Sequence, residues 1–364
     1  MRIVKIDTRV VEIPFGDYGP PRSVSPSNWH SLETVLVRLE DEQGNVGWGE
    51  GFGYFVADAT RALIERLIAP LLIDQVVEDI PAWNRTIQQR LHLFGRYGVT
   101  LFAVSGVDMA LWDLRAQREQ VSLASLLAQG GAVREAIPAY ASLVRYGNAL
   151  APRTCERALA EGFRNIKLHE TRLEDIVACR GAIGPEIPLA TDVNCSWTVE
   201  ETREWLPALA DLKLAWLEEP IFPPEDYATL ASLRGQGVPL SAGENWCTDG
   251  QFSQALELGA VDSIQPSVTK VGGISECLKI GDLAARHQAV VLPHSPYFGP
   301  GLLATLHLAA VQPWVPQVEY HFVEPAGWLY DVSRLRERDR FHLPQEPGLG
   351  LPLDLDVVAR FQRS

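Results

Sequence analysis

Lysine is scarce in this chain: of 32 basic residues only five are lysines, Lys5, Lys167, Lys213, Lys270 and Lys279. Wherever charge alone suffices the chain uses arginine, so a lysine at a strand mouth is more telling than usual. Cysteine is also sparse. The five cysteines are odd in number, scattered and form no CxxC, which fits reduced thiols in a cytosolic enzyme and not a disulfide framework. No apolar run approaches the ~20 residues of a membrane span. The N-terminus, MRIVKIDTRVVEIPF, alternates like a strand and lacks the apolar core of a signal peptide. These absences predict a cytoplasmic chain with no membrane partner. Net charge is −14 and no Lys/Arg cluster could track a phosphate backbone, which argues against nucleic acid. No GxGxxG follows a strand, so a dinucleotide fold is excluded as well.

The 364 residues exceed the ~250 of a single TIM-type barrel by about a hundred, enough for a second unit. Residues 2–50 read as a three-stranded meander with a tight turn at DEQGN, and residues 57–119 carry helical spacing, best in TLFAVSGVDMALWDLRAQRE. Strands followed by helices predict an α+β capping domain over 1–128. Within it, the polar Gly16–Asn28 segment suits a flap over a site, with Phe52, Tyr54 and Phe55 beside it as specificity residues. From about residue 136 the texture becomes apolar strand, polar loop, amphipathic helix. Eight candidate strands start 23 to 28 residues apart, which predicts an α/β barrel over 129–324. Residues 325–364 have no further repeat. Their PGLGLPLDLD reads as a turn and short strand returning to complete the cap.

Asp192 in LATDVN, Glu218 in LAWLEEP and Glu244 in LSAGEN are spaced 26 residues apart, each at the end of a candidate strand. The same place on three consecutive repeats is one rim of one barrel. Three anions converge there only if a cation holds them, and oxygen-only ligands favour Mg²⁺, then Mn²⁺. Glu219 follows Glu218 and, in an alternating strand, faces the other way. Lys167 and His169 share one face of the preceding strand and flank the metal as base or cationic clamp. His294 ends the seventh strand, across the barrel. Two such groups on opposite faces of a carbon can move a proton, or remove a proton on one side and a leaving group on the other. Glu319 ends the eighth strand and can reach a substrate carboxylate. Asn194 shares the face of Asp192.

With SGVDMALWDL, NIKLH, DVN, LEEP, GEN, KVGG (270–273), the PH of His294 and the terminal PGLG, the chain resembles the enolase superfamily over essentially its whole length. The likeness is to mandelate racemase and muconate-lactonizing-type enzymes. That resemblance implies a modified (β/α)7β TIM barrel with an N-terminal α+β capping domain. It further implies a small carboxylate substrate, a homo-oligomeric tendency, and removal of the proton α to a carboxylate with Mg²⁺ stabilising the enediolate. Two places depart from the family. Where the strand-two motif often carries a second lysine as the base, this chain has His169. Where strand six carries a lysine or an aspartate that pairs with the strand-seven histidine, alignment on KVGG puts Ser267, with Lys270 three residues later. Tyr54, Asn194, Ser267 and Lys270 are expected to contact substrate. An imidazole without a carboxylate partner keeps a pKa nearer ~6.5 and donates protons better than it removes them. The leading expectation is therefore an acid-sugar dehydratase, with Lys167 or His169 as base and His294 as acid. A racemase, epimerase or cycloisomerase is the alternative, and a non-catalytic binding relative is the third. Three intact converging acids speak against the last.

Overall fold

The computed structural model describes residues 1–16 and 30–363. The expected flap, Gly16–Asn28, lies outside the described residues except for Gly16. The cap meander is β1 (Ile3–Gly16), β2 (Ser31–Asp41) and β3 (Val46–Phe52), paired antiparallel in sequence order. Its last turn is closed by Asp41, whose carboxylate accepts from the Gln43 and Asn45 amides at 3.0 and 2.9 Å. In β3 (VGWGEGF) alternate residues are glycine because the helix Val99–Glu119 lies directly against the strand. A Cβ added at Gly49 would stand 2.0 Å from the Gly106 carbonyl oxygen. Backbone meets backbone there, which explains the SG of the SGVD motif as packing.

The barrel strands are β4 (Ala136–Ser142), β5 (Ile166–Leu168), β6 (Leu189–Asp192), β7 (Leu217–Glu218), β8 (Leu240–Ala242), β9 (Ser263–Ile264), β10 (Val290–Val291) and β11 (Val318–His321). β4 to β10 pair in parallel in sequence order, and β11 pairs back onto β4. A helix follows each of the first seven strands and none follows β11 directly, the (β/α)7β pattern. Several strands are only two to four residues long. Each bends into its loop just past the core, and the loop residues carry the chemistry.

The tail differs in detail from its sequence reading. β12 (Glu324–Pro325) does extend the cap, pairing with Phe15 and Gly16 of β1. The PGLGLPLDLD segment, however, forms no strand, only an isolated bridge from Gly348 to Ser122: Gly348 and Gly350 have φ of +71° and +80°, outside the extended region. An unanticipated hairpin, β13 (Arg336–Glu337) and β14 (Arg340–His342), lies antiparallel on β4. The helix Leu355–Phe361 then returns the chain to β1, where Arg363 N–H donates to Val10 at 2.8 Å.

Three buried acids clamp cap to barrel and tail. Asp108 accepts from Ser275 N at 3.0 Å and Asn84 Nδ2 at 2.7 Å. Asp113 accepts from Trp48 N and Leu349 N at 2.7 and 2.8 Å. Glu50 accepts from Gly301 N at 2.8 Å. Burial pushes these carboxyls up, to about 7, 6 and 7 respectively, against the pull of their N–H donors. Among the described residues no helix is long and apolar enough to cross a membrane.

Candidate active site

Strand register puts Asp192 beside Glu218 at the ends of β6 and β7. Glu244 lies two residues beyond β8, brought inward by Gly243, whose φ is +135° and where a Cβ would stand 2.9 Å from Gln265 N. One carboxylate oxygen from each of Asp192, Glu218 and Glu244 falls within 4.8 Å of the others. Asp192 Oδ2 is buried without a hydrogen bond, with His169 Nε2 at 3.4 Å and Lys167 Nζ at 3.7 Å. Burial, and next the charge of Asp192, raises the Glu218 carboxyl to about 8 despite Lys167. A buried all-oxygen donor set whose anions repel one another fits a hard divalent cation such as Mg²⁺.

Lys167 sits beneath this cluster, fully buried, with Nζ at 2.9 Å from Glu218 Oε1 and 2.8 Å from Glu319 Oε1. Burial alone would lower its pKa, but Glu218 and Glu319 outweigh it and hold the ammonium well above its ordinary value. Glu319, though buried, is correspondingly held down to about 2, chiefly by Lys167 and His294. Its other oxygen accepts from Ser295 N at 2.9 Å.

Above these groups opens a cavity of about 340 Å³, lined by His169, Asn194, Glu244, His294, Glu319 and, from the cap, Tyr54 and Phe55. His169 Nδ1 lies 2.5 Å from the Leu143 carbonyl. A carbonyl only accepts, so Nδ1 carries the proton and Nε2 is the atom left to exchange one with the cavity. His294 Nε2 lies 3.3 Å from Glu244 Oε2, and its Nδ1 faces the Tyr297 hydroxyl at 3.2 Å. Burial lowers the His294 pKa, opposed by the charges of Glu244 and Glu319. The Tyr54 hydroxyl donates to the Pro296 carbonyl at 2.8 Å, tying the cap to the barrel mouth beside His294.

The N-terminal part of the chain, residues 5–128, matches the family described as mandelate racemase / muconate lactonizing enzyme, N-terminal domain, and residues 151–357 match the enolase C-terminal domain-like family. The chain belongs to the enolase superfamily. Within this superfamily it is similar to an arabinonate dehydratase of Saccharolobus solfataricus, 32% identical, with 92% of this chain and 91% of that protein covered. It is as similar to a D-galactarolactone cycloisomerase of Agrobacterium fabrum, 32% identical with 90% and 91% covered. Among solved structures, a racemase from Streptomyces coelicolor A3(2) with bound magnesium aligns at a TM-score of 0.84 and 27% identity, covering 99% of this chain and all of that one, 100%.

Of the sequence-predicted residues, Lys167, His169, Asp192, Glu218, Glu244, His294 and Glu319 come together here, with Asn194 and Tyr54 on the cavity wall. Ser267 and Lys270 do not line it. Ser267 is buried behind His294 against the Tyr297 hydroxyl. Lys270 Nζ donates to Asn245 Oδ1 at 2.8 Å and stands over the Phe52 ring. Glu219 also departs from expectation. β7 ends at Glu218 and Glu219 has φ +42°, so strand alternation stops. Its buried carboxylate accepts from Asn245 Nδ2 at 3.0 Å, and the same amide reaches Glu244 at 3.4 Å.

The sequence reading missed Arg145, His321 and Tyr297. Arg145 lines the cavity and donates Nε–H to the His169 carbonyl at 2.8 Å. His321 shares the face of Glu319, two residues on, and period-two alternation alone would have found it. Tyr297 follows His294 by three residues in a loop, where no periodicity applies.

Proposed function

We propose that this chain is a Mg²⁺-dependent acid-sugar dehydratase, with Asp192, Glu218 and Glu244 holding the cation. The carrying observation is that two imidazoles from the loops after β5 and β10, strands far apart in the barrel, line one small cavity with Glu244 of those three acids. The cavity volume suits a ligand of a few carbons more than a large one. A bound Mg²⁺ supplies positive charge to the substrate carboxylate and to the charge that develops as the α-proton leaves. His169, presenting Nε2, takes that proton, while Lys167 beneath it keeps the acids partly neutralised. His294 gives a proton through Nε2 to the hydroxyl leaving the neighbouring carbon. The C–H and C–O bonds break, water departs, and the enol becomes a 2-keto acid. Mn²⁺ is a second cation these donors accept, and the same reading carries a cytoplasmic homo-oligomer.

A cycloisomerase, racemase or epimerase is the second reading, supported by the equal similarity to the D-galactarolactone cycloisomerase. It shares the first proton removal and differs in what His294 then does. A screen of acid sugars with Mg²⁺, read by keto-acid formation and by solvent-deuterium uptake, tests both. His294→Asn should cut hydroxyl loss by about 10²–10⁴-fold while the α-proton still exchanges with D₂O. If exchange at one stereoisomer is abolished instead, His294 is a base and the dehydratase reading fails.

A further inference from the structure

Behind His294 this chain packs three hydroxyls. Tyr297 is 2% exposed, Ser267 1% and Thr269 0%. The Tyr297 oxygen lies at the centre: Thr269 Oγ1 donates to it at 2.9 Å, Ser267 Oγ is in very close contact, and His294 Nδ1 stands at 3.2 Å. A phenol oxygen has one proton to give and accepts from up to two donors. With Thr269 filling one acceptor position, two assignments satisfy every group: Ser267 donates to Tyr297 and Tyr297 to His294 Nδ1, or His294 Nδ1–H donates to Tyr297 and Tyr297 to Ser267 Oγ. A His294 that gives a proton through Nε2 carries one on each ring nitrogen, and an Nδ1–H can only donate, which selects the second.

We infer that Tyr297 is the positioning residue of His294, its hydroxyl fixing the ring by Nδ1 and aiming Nε2 at the cavity, with Ser267 and Thr269 orienting that hydroxyl. This arrangement gives the imidazole an acceptor without adding a negative charge to its surroundings. A ring held this way presents Nε2 to the substrate in each turnover, whichever way the proton moves. Loss of the hydroxyl frees the ring to rotate or to carry its proton on Nε2, where it would face Glu244. This inference rests on the role proposed above for His294, and the hydrogen-bond assignment can be read without substrate.

The test therefore has a substrate-free arm. In the full-length chain labelled with [¹⁵N]histidine and supplied with Mg²⁺, the His294 signals are identified by their absence in His294→Asn. They should report a protonated Nδ1. In Tyr297→Phe, which keeps the ring and its packing, that Nδ1–H signal should be lost or moved, while the His169 and His321 signals stay in place. A wild-type His294 with bare Nδ1, or a His294 signal indifferent to Tyr297→Phe, overturns the inference. The second arm uses turnover on the acid sugar found by the screen. Tyr297→Phe should lower kcat by about tenfold, the order expected for one buried hydrogen bond, with KM within about twofold. Ser267→Asp added to Tyr297→Phe restores an acceptor for Nδ1 and should recover most of kcat, which a purely space-filling role of Tyr297 would not allow. No recovery with a correctly folded double variant counts against positioning. If the Nδ1 signals behave as expected but His294→Asn leaves turnover intact, the functional reading has failed and the hydrogen-bond assignment stands.

Discussion

On one side of the cavity Lys167 Nζ meets carboxylates of Glu218, Glu319 and Asp192 at 2.9, 2.8 and 3.7 Å. On the other side His294 Nδ1 meets a tyrosine hydroxyl at 3.2 Å, itself backed by a serine and a threonine. Both walls are buried, so both must satisfy their polar groups internally, but they do so in different ways. The first balances full charges, whose interactions are strong at low dielectric and costly to leave unmatched. The second uses neutral groups, each exchanging donor and acceptor roles by rotating one bond. A site built this way concentrates its charge where a cation and a carboxylate would bind. Behind His294 it adds no further anion to the Glu244 carboxylate that already faces Nε2 at 3.3 Å.

Removing a charge from the first wall is the most severe way to break this comparison. Glu218→Gln should leave a folded protein whose Mg²⁺ affinity and turnover fall together, each by tenfold or more on the order expected for losing one of three anionic ligands. Titration calorimetry with Mg²⁺ and a thermal melt check both halves. Normal turnover at low Mg²⁺ in that variant would falsify the three-acid site.

Glu219→Gln sharpens the boundary of that wall. Strand alternation predicts a silent change, but the carboxylate shares the Asn245 amide with Glu244. A primary amide in its place turns a donor toward a donor on one side, so turnover should drop by roughly three- to tenfold through misplacement of Glu244. Kinetics equal to wild type would show that Glu219 is only structural. The weakest test concerns acids that form no ion pair among the described residues. Asp108, Glu50 and Asp113 have folded pKa values raised to about 7, 7 and 6. The folded state therefore binds their protons more tightly than the unfolded chain, whose carboxyls titrate near 4. Stability from these groups is full at low pH and falls as pH rises from about 4 to about 7, then levels off. Thermal midpoints in the presence of Mg²⁺ should drop by a few degrees between pH 5.5 and 8. The absence of a drop over that window would mean the seam acids are ionised throughout.

The features legible in the sequence were those written as period or as spacing. The barrel repeat and the three acids obey a fixed interval, and Lys167 with His169 obeys strand alternation. What stayed hidden lies where the backbone leaves those rules. Glu219 turns inward at a left-handed residue just past a two-residue strand. Tyr297 sits in a loop between β10 and the helix Pro300–Val311, placed by tertiary packing alone. The hairpin β13–β14 was missed because its two and three residues are too few to show alternation. The tail segment PGLGLPLDLD misled for the opposite reason. Its alternating leucines look extended, yet its glycines take positive φ and Leu349 is simply buried against the seam.

One arrangement in the cap ties together segments that are far apart in the chain. β1 pairs with Glu324–Pro325, and Arg363 N–H donates to the Val10 carbonyl at 2.8 Å. Asp113 accepts from the Leu349 amide across a separation of 236 residues. The edge of the cap sheet is therefore sealed by residues that follow the barrel in the sequence. Contacts of that span pay their loop-closure entropy before they return any stability, so they weigh on the rate of folding more than on the final stability.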